Sequence, residues 1–245
     1  MRSLSRRKLI TTGLATTAGV SGLAAAAKIA ERHGLIPPDC GGIYGPGETL
    51  TYASQRLLTR HSLAREFQRN QISRAPFANG KPPVDPTFKR FEAGGFADWR
   101  LAVDGLVARP GSFSLADLRS YPASRQITQL TCEEGWGFIA EWIGVPLHHV
   151  LKLAGILPHA NYVVYFSAPD RWSDSVDMAD ALHPQTLLTY GMNGGDLPVP
   201  HGGPLRLRVP RQLGYKSLKW VNRLTVTDSL DKFWEGGSYS WYAGI

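Results

Sequence analysis

Residues 126–137 read Gln-Ile-Thr-Gln-Leu-Thr-Cys-Glu-Glu-Gly-Trp-Gly, a β-rich run followed directly by a cysteine and two glycines that flank a tryptophan. The run Gln126–Thr131 predicts a short strand, and Gly135-Trp136-Gly137 predicts a turn after it. Cys132 is therefore expected at the junction of a strand and a loop. Most lone cysteines are small buried hydrophobic residues, so the role of this one depends on what the rest of the chain places near it.

A second informative stretch runs from His201 to Lys219 and reads HGGPLRLRVPRQLGYKSLK. Glycines let backbone N–H groups approach a ligand closely, and Arg and Lys side chains form charge-assisted hydrogen bonds to phosphate oxygens. The stretch lacks the G-x-x-x-x-G-K-[ST] loop of nucleotide hydrolases and the G-x-G-x-x-G pattern of dinucleotide-binding proteins. It predicts either a site for an anion other than an ordinary nucleotide, or a solvated basic edge strand.

Composition and the spacing of short apolar runs predict an α+β fold. Hydrophobic residues make up 43% of the 245, only 19% are charged, and 26 glycines with 17 prolines indicate many turns. Strands are expected at 100–107, 161–168 and 218–227, and helices near 62–68, after Ser114, from Pro146 and at 178–182. Leu205, Leu207 and Val209 alternate with two arginines, which predicts a half-buried strand.

The N-terminal residues predict an export signal. Arg6 and Arg7 precede an apolar stretch, the layout of a twin-arginine signal, and several Thr and Gly residues distinguish this stretch from a membrane-spanning helix. Because the twin-arginine route carries folded proteins, we expect a periplasmic protein, tethered to the membrane if the signal is uncleaved. The predicted organisation is a signal segment at 1–30, an irregular arm packed on the core at 31–90, and the main domain at 91–245.

Charge and motif patterns narrow the chemistry. The net charge is +7, and the segment from His201 to Arg223 contains no acidic residue, but no nucleic-acid-binding motif accompanies the basic residues. A nucleic-acid partner is therefore not expected. Two cysteines, Cys40 and Cys132, permit one disulfide. The chain lacks a C-x-x-C-H haem motif, a second cysteine close to Cys132 for zinc or iron-sulfur ligation, and a G-x-S-x-G nucleophile elbow.

Taken together, these features resemble the sulfite oxidase-like molybdopterin-dependent oxidoreductases, and among them the periplasmic methionine sulfoxide reductase catalytic subunits. The match extends from about Phe77 to Asp228. It rests on the motifs Thr131–Trp136, Trp142–Leu147, Tyr190-Gly191, His201–Arg206 and Gly214–Lys219.

The resemblance implies a sulfite oxidase-type fold, with mixed β-sheets and short surrounding helices, whose 91–245 region is a molybdopterin-binding oxidoreductase domain. It implies that Cys132 is the catalytic residue and ligates molybdenum beside the dithiolene sulfurs of the pterin, with Glu134 nearby. Soft sulfur ligands suit a metal that cycles between oxidation states. The implied contacts to the molybdenum-molybdopterin cofactor are Asn79, Ser167, His201 (where relatives commonly have Asn), Arg206, Ser217, Leu218 and Lys219.

The implied activity is a two-electron redox reaction or oxygen-atom transfer on a small or protein-borne substrate, of the sulfoxide or sulfite type. Electrons would be exchanged with a membrane cytochrome or another electron-transfer protein, and the chain is expected to be a monomer. Relatives that reduce methionine sulfoxide typically carry Trp-Lys-Tyr-Gly where this chain has Arg-Gln-Leu-Gly at 211–214. The residues thus leave the substrate open, and Arg211 is the charge expected to face a small anionic substrate.

Two other classes of function are compatible with the residues alone. One is an exported hydrolase or transferase in which Cys132 is the nucleophile and a histidine is its base. The other is a non-catalytic periplasmic module that binds an anion through its basic segment and bridges Cys40 to Cys132.

Overall fold

A computed structural model of the chain describes residues 22, 25–26, 28–30, 34–37, 46–169, 172–233, 239 and 241–242. Most of the predicted signal segment and Cys40 lie outside the described residues, so export and the role of Cys40 stay predictions, as do the predicted domain boundaries. Within the described part, no helix is both long and apolar enough to cross a membrane.

The chain divides into two compact units, of which the first ends at Arg60 and the second contains residues from His61 onward. The described part of the first unit contains helix α1 (Pro46–Leu58), in which the Arg56 guanidinium lies over the Tyr52 ring. The second unit contains helices α2 (Pro86–Ala93), α3 (Leu115–Ser120), α4 (Leu147–Ala154) and α5 (Met178–Ala181). Its strands are β1 (Arg100–Gly105), β2 (Gly111–Ser114), β3 (Ser124–Thr131), β4 (Gly137–Pro146), β5 (Tyr162–Ser167), β6 (Ser173–Asp177), β7 (Leu187–Met192), β8 (Gly195–Asp196), β9 (Arg206–Arg208) and β10 (Val221–Thr227).

The strands form two sheets, which confirms the predicted α+β class. One sheet has the order β2-β1-β10-β5-β6 and is parallel only between β1 and β10, while the other has the order β3-β4-β7-β8 with β9 also paired to β7. One apolar core joins residues of both sheets and α4, among them Leu101, Val150, Leu188 and Leu224. A smaller cluster around Trp142 lies beneath β3 and β4. This smaller cluster carries the candidate site.

Several local predictions are confirmed by their hydrogen bonds. Ser114 caps α3 through a capping box with Asp117, in which each side chain accepts a hydrogen bond from the other residue's backbone amide, at 3.0 and 2.8 Å. Helix α4 follows Pro146, its N-cap, and ends at Gly155. Strand β10 begins at Val221, directly after Trp220, whose φ of 56° interrupts the extended backbone.

Three predictions of local structure are wrong. Residues 62–68 form no helix, because the Phe67 amide donates to Ile127 O at 2.9 Å and Glu66 pairs with Thr128, so this segment extends along the edge of β3. Helices α1 and α2 lie in the region expected to be irregular. Strand β9 is buried on both faces rather than half-buried, because the side chains of Arg206 and Arg208 turn inward to Trp142.

Candidate active site

Cys132 lies immediately after β3, in the loop that leads into β4, as the sequence predicts. Its backbone amide donates to Trp136 O at 2.8 Å, and the Gly135 amide donates to Cys132 O at 3.1 Å. These bonds close a tight turn whose outer residues, Glu134 and Gly135, are exposed. The Cys132 side chain itself is only 6% exposed, and its thiol is free.

The Glu134 carboxylate connects the thiol to its surroundings. Its Oε2 atom accepts hydrogen bonds from Trp136 Nε1 at 2.8 Å and from Asn79 Nδ2 at 3.2 Å, and lies 3.9 Å from Cys132 Sγ. Burial, followed by the acidic neighbours Glu133 and Glu134, raises the pKa of the Cys132 thiol to about 11. The thiol is therefore protonated at neutral pH, and a metal ion that binds the thiolate must displace this proton.

Lys219, just before β10, contacts the same asparagine that bonds Glu134. Its Nζ atom donates to Asn79 O at 2.5 Å and to Pro200 O at 2.6 Å. A Cβ atom at Gly202 would lie 3.0 Å from the Lys219 side chain, so the absence of a side chain at residue 202 allows this close approach. Asn79 thus contacts Glu134 through its side chain and Lys219 through its carbonyl group.

Arg206 and Arg208 are buried cations on one face of β9. Residues i and i+2 of a strand share a face, and both guanidiniums lie over the Trp142 ring, at 5.7 and 5.3 Å from its centroid. Arg206 donates to His201 O at 2.9 Å and Arg208 to Gln129 O at 2.5 Å, but neither Nε atom has a partner among the described residues.

No carboxylate of the described residues forms an ion pair with Arg206 or Arg208. Burial lowers the pKa of Arg206 to about 10 and, with the help of Arg206, that of Arg208 to about 9, so both remain charged at neutral pH. Two uncompensated buried charges are unfavourable without an anion. The pair therefore indicates a site for an anionic group.

His201 is a third buried polar residue of the candidate site. Its ring contacts the Phe138 ring edge to face, with centroids 5.6 Å apart, and its Nδ1 atom is buried without a hydrogen-bond partner in the described part of the chain. Burial, and then Arg206 and Lys219, lower the pKa of His201 to about 4. The imidazole is neutral at pH 7 and can offer one donor and one acceptor to a bound molecule.

The two stretches singled out in the sequence meet at Gly214. A Cβ atom there would lie 3.2 Å from Thr131 O and 3.6 Å from Cys132 Cα, so the turn Gly214–Lys216 packs directly on the cysteine backbone. A side chain at 214 would separate this turn from Cys132.

The three other predicted cofactor contacts occupy supporting positions. Ser217 Oγ accepts hydrogen bonds from Arg208 at 3.3 Å and from the Val209 amide at 3.1 Å, and Leu218 O accepts one from the Leu207 amide at 3.0 Å. Ser167 ends β5 beside Val221, and its hydroxyl accepts from the Trp172 amide at 3.2 Å. The structure therefore joins Cys132, Asn79, His201, Arg206 and Lys219 through contacts. The metal ligation by Cys132 and the direct cofactor contacts of all seven other residues stay predictions.

Arg211 does not face a substrate, contrary to the expectation. It is buried and forms an ion pair with Asp180 at 3.6 Å, and Gln212 Nε2 donates to the same carboxylate at 2.8 Å. A carboxylate in the interior needs such partners to offset its lost hydration. Arg211 has this role in stabilising the loop after β9.

Sequence reasoning missed Arg208 and Trp142 as parts of the site. The alternation Arg206-Leu207-Arg208 already contained the signal for Arg208, because side chains two residues apart point to the same face of a strand. Trp142 carried no such signal, since its proximity to both arginines depends on the pairing of β4 and β9 with β7.

The environment of Lys219 leads to a prediction about pH. Burial, and then Arg206, lower its pKa from 10.5 to about 7. Above about pH 7 the unfolded chain holds this proton while the folded chain releases it, so the Lys219 contribution to the free energy of unfolding rises with pH up to the ordinary lysine range. We expect the ligand-free wild type to gain more stability between about pH 7 and about pH 9 than Lys219→Met does, as measured by urea unfolding.

Lys152→Met, which removes an exposed lysine of α4, is the matched control for this pH experiment. Its stability should follow pH with the wild-type slope. Equal slopes in the wild type and Lys219→Met would show that Lys219 titrates normally.

Comparisons with known proteins identify the family. Residues 89–234 match the family model described as the oxidoreductase molybdopterin binding domain. The putative protein-methionine-sulfoxide reductase subunit YedZ1 of Azospira oryzae is 38% identical over 189 residues, which are 77% of this chain and 70% of that protein.

Relatives with a more specific name match a smaller share of their length. The protein-methionine-sulfoxide reductase catalytic subunit MsrP of Ralstonia nicotianae is 32% identical over 53% of this chain and 44% of its own, and MsrP of Xanthomonas campestris pv. campestris is 32% identical over 62% and 51%. The chain thus spans about half the length of these two relatives. The sulfane dehydrogenase SoxCD from Paracoccus pantotrophus is a structural neighbour with a TM-score of 0.52 and 28% identity, over 54% of this chain and 39% of that one.

Proposed function

The chain belongs to the oxidoreductase molybdopterin binding domain family and is a molybdopterin-dependent oxidoreductase, and we propose that it reduces methionine sulfoxide residues in proteins, with Cys132 as the molybdenum ligand. The three relatives named as methionine sulfoxide reductase proteins support this substrate class. The observation that carries the proposal is the buried, free thiol of Cys132 in a loop with exposed residues, together with two buried arginines of β9 that no described carboxylate neutralises.

The described residues fit a molybdenum-pterin cofactor. The Cys132 thiolate is the kind of soft ligand that such a metal takes. The Nε atoms of Arg206 and Arg208 and the Nδ1 atom of His201 have no hydrogen-bond partner among the described residues, and an anionic, hydrogen-bonding ligand satisfies buried polar groups of this kind. Cys132 would hold the metal, and Arg206, His201 and Lys219 would hold the pterin and its phosphate.

When bound, the cofactor supplies two-electron redox chemistry and oxygen-atom transfer. Reduction of a sulfoxide consumes two electrons and two protons and yields a thioether and water. Glu134 is placed to carry protons to the reaction, because its Oε2 atom lies 3.9 Å from Cys132 Sγ while the residue is exposed to solvent. Asn79 and Trp136 fix this oxygen atom by donating hydrogen bonds to it.

The competing functions lose support. A nucleophilic cysteine acts as a thiolate, whereas the raised pKa of Cys132 keeps its thiol protonated at neutral pH. The Cys132 thiol is free in the part of the chain that the structure describes, which gives no support to the Cys40–Cys132 disulfide that the binding-module alternative requires. Membership in an oxidoreductase family accounts for the buried cations and the cysteine together.

We further propose that the protein is exported by the twin-arginine route and receives electrons from a membrane-bound donor as a monomer. Arg6-Arg7 and the apolar residues after them support export, and the chain lacks a C-x-x-C-H motif for a covalent haem of its own.

The proposed function predicts both metal content and substrate choice. Protein purified from cells that synthesise the cofactor should contain about one molybdenum per chain, since Cys132 supplies one thiolate ligand. With a chemically reduced viologen dye as electron donor, it should convert methionine sulfoxide in an oxidised, unfolded protein to methionine, measured by mass spectrometry. Absence of molybdenum, or oxidation of sulfite without any sulfoxide reduction, would contradict the proposal.

A further inference from the structure

Phe77 places an exposed aromatic ring at the rim of the Cys132 site. Its side chain is in an exposed position, 53% accessible, although the ring contacts Trp136 edge to face with centroids 4.9 Å apart. Trp136 in turn lies parallel to Phe138, at 6.3 Å between centroids and 3° between planes. The three rings extend from the surface to the buried cluster beneath β4.

The position of Phe77 is fixed by its neighbour two residues later. Asn79 donates to Glu134 Oε2 at 3.2 Å and accepts from Lys219 Nζ at 2.5 Å, so the segment is held on both sides of the site. Trp136 is held by its own hydrogen bond to the same Glu134 oxygen, at 2.8 Å. Glu134 Oε2 lies 3.9 Å from Cys132 Sγ. The same oxygen atom therefore holds Trp136, and through Asn79 the Phe77 segment, close to Cys132.

We propose that the Phe77 ring, backed by Trp136, binds the methionine sulfoxide side chain of substrate proteins and is a specificity-determining residue; this inference rests on the proposed function. A methionine sulfoxide side chain keeps the flexible, unbranched methylene groups of methionine, which pack favourably against aromatic rings. The exposed ring is accessible to a side chain presented by a polypeptide. The sulfoxide group of the substrate would point toward Cys132, where the metal would be held, while its methylene groups contact Phe77.

The charges around the aromatic pair favour a neutral substrate. Glu133 and Glu134 directly follow Cys132, and Glu134 is exposed. Carboxylates at the entrance repel small anions such as sulfite, whereas a sulfoxide carries no net charge. Arg211, the residue that could have attracted an anion, is buried in its ion pair with Asp180.

The test compares wild-type molybdenum enzyme with Phe77→Ala and Phe77→Leu. The substrates are a fluorescently labelled peptide with one methionine sulfoxide, and dimethyl sulfoxide. For Phe77→Ala we expect Kd and KM for the peptide to rise about three- to tenfold, with kcat within about twofold of wild type and unchanged molybdenum content. The Kd and KM of Phe77→Leu for the peptide should lie between those of wild type and Phe77→Ala, because leucine keeps an apolar contact but lacks the ring. The KM for dimethyl sulfoxide should change less than that for the peptide, because this substrate lacks the methylene chain.

Leu63→Ala is the matched control. Leu63 is an exposed apolar residue whose neighbours Ser62 and Ala64 contact His183 and Gln185, outside the set of residues around Cys132. This variant should keep wild-type Kd and KM.

Each outcome separates the role of Phe77 from the proposed function. Unchanged peptide Kd and KM in Phe77→Ala would overturn the role of Phe77 while leaving sulfoxide reduction intact, and a fall in kcat with loss of molybdenum would make Phe77 a structural residue. If wild type binds the peptide but does not reduce it, the proposed function fails and the variants' Kd values still decide for or against Phe77. If wild type neither binds nor reduces the peptide, both fail.

Discussion

Replacing Cys132 by serine is expected to lower kcat for methionine sulfoxide by a factor on the order of 10³ or more. An oxygen ligand is harder and less polarisable than the thiolate, so it suits a metal that changes oxidation state less well. Because Arg206 and Lys219, which we propose to hold the pterin, are unchanged in this variant, we expect the molybdenum content to fall less than the activity. Elemental analysis and the dye-linked assay, performed on the same preparation, measure the two quantities separately.

Cys40→Ser is the matched control, since it removes the other sulfhydryl side chain of the protein. Cys132 is a free thiol and needs no partner cysteine, so this variant should keep its molybdenum and its activity. A Cys132→Ser enzyme with normal molybdenum and full activity would refute the assignment of the ligand.

Arg206→Met is expected to change cofactor retention and protein stability in opposite directions. A charge-assisted hydrogen bond to a phosphate oxygen contributes about 1.5–3 kcal/mol, so its loss should weaken cofactor binding roughly ten- to a hundredfold. In the cofactor-free protein the same substitution removes a buried charge that no described carboxylate neutralises. The free energy of unfolding of that form should therefore equal or exceed the wild-type value.

The measurements are molybdenum content after dialysis and urea unfolding of protein made without cofactor. Arg223→Met serves as the control, because Arg223 is about half exposed and pairs with Asp104 at the surface, at 2.9 Å. It should alter neither quantity appreciably. If Arg206→Met destabilised the cofactor-free protein strongly and retained its molybdenum, Arg206 would be a structural residue.

Local signals in the sequence predicted much of the fold. The capping box at Ser114, the glycine that ends α4 and the short run before Cys132 each depend on neighbours within a few residues. The helix expected near residues 62–68 failed for the opposite reason. The backbone of that segment finds its partners on β3, some sixty residues away, and such pairing has no signature in a local pattern.

The candidate site, like the fold, could be predicted only in part from local sequence. The position of Cys132 and the basic character of 201–219 could be predicted from the sequence, and the family resemblance is confirmed by the matched domain. The environment of each charged residue could not be predicted, because it depends on which distant strand packs over that residue. Arg206 and Arg211 are both basic residues in one stretch, yet the first is buried without a described carboxylate partner and the second is paired with Asp180.

Asn79 is bonded to both sides of the site, to the loop that carries Cys132 and to the lysine that precedes β10. Its two hydrogen bonds can form together only when both loops are in their final positions, so the docking of this segment requires a completed site. Until then residues 74–84 are held by fewer contacts, and weakly held segments are where proteases cleave. The rate at which a protease cuts this segment therefore reports whether the site has been completed.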